Sequence, residues 1–148
     1  MSDSRVQPTA GTPVPSGKDV FRFVLVRSDG ELSTAFEPST DDKAEPVPTV
    51  SVWVFGIALP APTANLLQKP YDGYLLLAVD FIRLLVPTIK LDVPPLDVVQ
   101  RPLRSDSPGS EHAGITGLVR PNDIPRSTYK TIRSHLAVEG RKRYTSLR

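Results

Sequence analysis

The sequence predicts an α+β domain, a small mixed or antiparallel sheet with short helices and a basic C-terminal helix. Three observations lead there. Short apolar blocks rich in β-branched and aromatic residues recur along the chain, as strands require. Proline, at 16 of 148 residues, is used at roughly twice the average rate and separates those blocks, against an all-helical bundle. Near the C-terminus one longer stretch carries a helical apolar period instead.

The length holds one domain with a core and little more. Residues 1–17 are Ser, Pro, Gly and Thr with hardly any apolar bulk, and read as a disordered arm. The core domain is expected over 18–120, and a basic helix and tail over 121–148. The run Val20 to Arg27 reads as a strand ending at the turn Ser28-Asp29-Gly30, with a return strand over Glu31 to Phe36. Glu37 to Pro48 is acidic and proline-bearing, hence a loop. Thr49 to Leu59 gives the strongest strand signal, Val50, Val52 and Val54 alternating with Ser51, Trp53 and Phe55. Both parities are largely apolar, so both faces should be covered. Phe21, Phe23, Trp53 and Phe55 read as core, or as an association surface should that strand lie at an edge.

Pro60 and Pro62 end the strand, and Thr63 caps a short helix through Leu67. Asp72-Gly73 reads as a turn and Tyr74 to Val79 as a buried strand. Asp80 then caps a brief helix, Phe81 to Leu85, closed by Pro87, although so short an apolar run fits a strand equally well. Thr88 to Val93 reads as a further strand, Val98-Val99 as a short apolar pair, and Arg104 to Ser110 as a polar loop. Glu111 to Val119 is compact and glycine-bearing. The clearest helix follows: Asn122 or Asp123 as cap, Pro125 in the first turn, a periodic pattern to about Val138, and Gly140 as terminator.

Composition removes several function classes. There are no cysteines, so disulfides, cysteine-zinc sites and thiol nucleophiles are out. The N-terminus lacks a signal-peptide layout, and no apolar run is long enough to span a bilayer. The expectation is a soluble bacterial cytoplasmic protein with no membrane partner. Net charge is +2 but uneven: residues 1–100 carry 8 Lys/Arg against 12 Asp/Glu, residues 101–148 carry 10 against 4. That asymmetry points to an anionic partner for the C-terminal part.

Few residues carry chemistry. His112, among small neighbours in Glu111-His112-Ala113-Gly114, suits a general acid or base, or a ring that fixes a loop by bonding to backbone. His135 falls on the outer face of the C-terminal helix. Arg83, inside Phe81-Ile82-Arg83-Leu84-Leu85, calls for a carboxylate, backbone carbonyls or a bound anion. No ligand set for a metal gathers around His112, and Asp41-Asp42 reads as a solvated loop pair. Serine-nucleophile and phosphate-loop motifs are missing; Gly114-Ile115-Thr116-Gly117 has no lysine after it. No cofactor is implied.

At 100° per residue, Tyr129, Ile132 and Leu136 form one stripe of the C-terminal helix, and Arg126, Lys130 and Arg133 another about a quarter-turn away. The apolar stripe should dock. The basic one, continued by Arg141, Lys142, Arg143 and Arg148, can face phosphates or an acidic protein, with Tyr129 or Tyr144 to stack on bases.

The order of Phe36, Ser51-Val52, Ile82-Arg83 and His112-Ala113 with Gly114 or Gly117 resembles a family of small bacterial proteins. Members share an "SV … (V/I)R … HAxxG" order of motifs, and some are encoded near defence or toxin-type genes. The family implies no established activity. The resemblance does single out Ser51, Arg83 and His112 as a trio that would converge at a site. Three readings result. The first is a non-catalytic binding or adaptor subunit of a larger bacterial assembly with a defence-related role. The second is a small enzyme or toxin-like effector using His112, Arg83 and Ser51 on a phosphate-bearing substrate. The third is a nucleic-acid-binding subunit using Arg126, Lys130, Arg133, Arg141, Lys142 and Arg143.

Overall fold

A computed structural model of the chain describes residues 11–24, 36, 49–56, 72–101, 112–118 and 125–147. Its elements run β1 (Asp19–Val24), β2 (Thr49–Val54), β3 (Gly73–Ala78), α1 (Val79–Thr88), β4 (Asp97–Gln100), β5 (His112–Thr116), α2 (Arg126–Arg141) and β6 (Thr145–Ser146). Every strand pairing is antiparallel, in the order β4-β5-β2-β1-β3-β6. The protein is α+β, and no helix among the described residues is long and apolar enough to cross a membrane. The expected return strand over Glu31 to Phe36 and the helix after Thr63 lie outside the described residues, Phe36 excepted, which is buried.

Alternation in the strands sorts their side chains onto two faces. Val20, Val52, Val54, Leu75, Leu77, Ala113 and Ile115 point one way and form the main core with α1 and α2. The helices supply Val79, Ile82, Leu85 and Val86 from α1, and Tyr129, Ile132 and Leu136 from α2. The other face carries a second cluster, Phe21, Phe23 and Trp53, with Phe55, Tyr74, Leu76 and Leu147 packed on it. Phe21 is fully buried and meets Phe23, Phe55 and Tyr74 edge to face. Apolar residues of both parities in β1 and β2 are thus accounted for by a sheet buried on both sides.

Residues 11–14, expected as part of a disordered arm, instead extend the sheet. Gly11 and Val14 donate to Gln100 and Val98, and Gln100 donates back to Thr12. Pro13 bridges Val99, so the segment covers the outer edge of β4. Only five residues then separate Val14 from the start of β1. A flat sheet would place the two about 19 Å apart, four strand spacings, whereas five extended residues reach about 17 Å. The sheet must therefore curl around the helix-side core, where Val14 is buried.

Two expected elements differ. The strand over Thr88 to Val93 is not formed. Lys90 takes a left-handed conformation (φ 56°), and the amides of Lys90 and Leu91 return to Pro87 and Val86 at 3.3 Å, a Schellman termination of α1. Leu91 and Val86 both join the core, the apolar contact that accompanies this motif. Lys90→Gly should raise stability by about 1 kcal/mol, because only glycine adopts this conformation without strain. Thermal unfolding checks this, with an upward shift of about 3 °C expected; a lower midpoint would count against the cap.

The second difference is at α2, which begins at Arg126 with Pro125 as N-cap and continues through Arg141. Gly140 does not end it. A Cβ there would sit 3.0 Å from Leu75 Cβ, so this glycine lets the helix approach β3 closely. Position and spacing alone make a packing glycine look like a terminator.

Candidate functional site

The sequence singles out Ser51, Arg83 and His112, and the fold assigns each a place. Arg83 lies on α1, on the helix-covered side, with its side chain 22% exposed. Its Nε donates to Asp97 Oδ1 at 2.7 Å, Nη2 to the carbonyls of Val14 and, at 3.3 Å, Val98, and Nη1 to Ser16 Oγ at 3.3 Å. The guanidinium clasps the N-terminal segment to α1 and β4, with the planar fork matching oxygens on two sides.

His112 and Ser51 lie on the opposite face, in neighbouring strands. His112 pairs with Trp53, and Ser51 with Gly114, so the two are offset by one diagonal step. The His112 ring is buried, meets the Trp53 ring edge-on at 4.9 Å, and places Nδ1 2.8 Å from Arg101 O. A carbonyl only accepts, so Nδ1 carries the proton in this bond. The Arg101 amide returns a 2.8 Å bond to His112 O. The loop-fixing role that the sequence allows His112 is the one its ring performs here. Arg83 is not brought to the other two; the thickness of the sheet separates them.

Residues that the sequence does not single out complete this face. Arg101 Nη1 reaches Thr49 Oγ1, and Thr49 is buried although polar. Arg22 Nη1 donates to Ser51 O at 2.6 Å. That bond has a cause in the ladder: β1 and β2 are in register only at Val20–Val54 and Phe21–Trp53, and Arg22 spans the strands where the register ends. An arginine between Phe21 and Phe23 is the sequence signal for it.

The C-terminal basic residues divide into two sets. Arg143 makes a two-pronged pair with Asp19, 3.2 Å to each oxygen, and Lys142 pairs with Glu139 at 2.9 Å. These two are tied to the fold. The α2 stripe is different. Arg126, Lys130 and Arg141 are exposed and Arg133 half-buried, within roughly 80° of the circumference. Beside them run Ser127, Thr131 and Ser134, with exposed His135 further round. The sole carboxylate of α2, Glu139, lies off this stripe. The stacking role expected for Tyr129 or Tyr144 is not offered: Tyr129 is buried in the core, and Tyr144 packs against it.

Among the described residues no three His, Asp or Glu side chains gather to hold a metal ion. In comparisons with known proteins, no family model, no curated protein and no solved structure matches the chain.

Proposed function

We propose that the protein is a non-catalytic binding module whose working surface is the outward face of α2, offered to an anionic partner. One observation carries this reading: Arg126, Lys130, Arg133 and Arg141 share a stripe that contains no carboxylate. Helix stability does not account for it. The first turn of α2 holds Arg126 and no acid, at the end where the helix dipole favours anions. Arg126 and Lys130, being exposed, contribute no core packing either. A placement that works against local stability and adds no packing is what a binding surface requires. The distance from Arg83 to His112 and Ser51, one on each side of the sheet, supports the same choice over an enzyme built on that trio.

The test is retention on a sulfated-polysaccharide column. Arg126→Glu with Lys130→Glu should elute at markedly lower salt than Lys18→Glu with Lys90→Glu, which changes net charge equally at exposed sites away from α2. Equal elution of the two would mean that net charge alone governs retention, and the reading would fall.

A further inference from the structure

Resting on that reading, we infer that the partner is duplex nucleic acid, held by its phosphates without reading of bases. The inference comes from asking what each class of anionic partner needs from a surface and what α2 supplies. A protein partner needs buried aromatic or apolar anchors at the centre of its interface. The outward arc of α2 offers one apolar side chain, Val138, 62% exposed. A single strand needs aromatic platforms for unstacked bases, and both tyrosines near the helix are turned into the fold. A lipid surface needs an apolar helix face to bury, but Tyr129, Ile132 and Leu136 are already spent on the core.

A duplex asks for less. Most of its contacts go to phosphate oxygens, from cations and from Ser or Thr hydroxyls, and its interfaces are polar and strongly positive. The α2 surface has that composition: a cationic stripe with Ser127 and Ser134 alongside. Arg126 and Arg141 are 15 residues apart, about 22 Å along the axis, longer than the major groove is wide at about 12 Å. The stripe can therefore meet phosphates on both sides of a groove. Arg126 at the helix N-terminus adds its charge to the end whose amides favour phosphate.

The experiment is fluorescence anisotropy of the full chain against a 20-base-pair duplex, the matching single strand and poly-glutamate, over 50–200 mM salt. Four phosphate contacts give a slope of log K on log salt of about −3.6, so affinity for the duplex should fall about 100-fold across that range. In Arg126→Ala with Lys130→Ala the slope should flatten to about −1.8 and the fall to about tenfold. An unchanged melting temperature would show that the variant is folded. Single-strand binding as tight as duplex binding would overturn the inference. Poly-glutamate binding without duplex binding, lost in the double variant, would overturn it while leaving the basic-face reading standing. Anion binding untouched by the two substitutions would remove both.

Discussion

Arg83→Met should destabilise the protein by about 2–3 kcal/mol and free the N-terminal segment from the sheet. The side chain is 22% exposed and its Nε–Asp97 bond is 2.7 Å, while Nη2 reaches the carbonyls of Val14 and Val98. Methionine keeps much of the stem's packing but supplies no donor, so two carbonyls lose a partner and Asp97 keeps its charge alone. Part of Asp97 is open to water, side chain 42% exposed, and solvent offsets some of that loss. Arg83→Lys should recover only a fraction, because an ammonium is a point charge and cannot span oxygens of both segments at once. Hydrogen exchange locates the effect. The amides of Gly11, Val14 and Gln100, which bond across the β4 edge, should lose protection well before those of β1 and β3. A midpoint within about 1 °C of the parent, with those amides still protected, would show that edge pairing holds the segment without the clasp.

That clasp also shows how far the sequence could be read. An arginine flanked by Phe81, Ile82, Leu84 and Leu85 announces that its charge must be satisfied, and an acid or backbone carbonyls were among the expected partners. Both are used. Which acid and which carbonyls depended on the curl that brings residues 11–16 beside β4, and no local pattern encodes a curl. The α+β class, β1, β2, β3 and α2 were legible because period-2 and period-3.6 patterns are local properties. The segment 11–14 was read as disordered because pairing at a sheet edge needs backbone groups more than apolar side chains. Thr88 to Val93 misread as a strand because a β-branched run around Lys90 resembles one, while the left-handed cap is set by α1 before it. As for the site, the basic stripe of α2 follows from helical geometry alone. Arg22 and Arg101 bond across strands far apart in sequence, so only the register reveals what they reach.

The register also makes Gly114 the least replaceable position on the sheet. Gly114 is buried in β5 opposite Ser51, one step from Thr49, and a Cβ built on it would overlap Thr49 Oγ1 and Cβ. Thr49 has little room to retreat: it is 1% exposed, branched at Cβ, and its hydroxyl accepts from Arg101. Gly114→Ala should therefore cost about 3 kcal/mol, at the upper end for overpacking, since a strand backbone must move instead of a flexible side-chain end. Denaturant unfolding measures it, and a loss under about 1 kcal/mol would mean that β2 and β5 separate easily. Thr49→Gly removes the atoms in conflict, at the expense of the Arg101 contact and of strand propensity. The pair Thr49→Gly with Gly114→Ala should then be less destabilised than the two single losses added, by more than about 1 kcal/mol. Strict additivity would say that the two sites do not meet. Coupling would show that the glycine is there because Thr49 occupies its side-chain space, and that the Arg101–Thr49 bond depends on it.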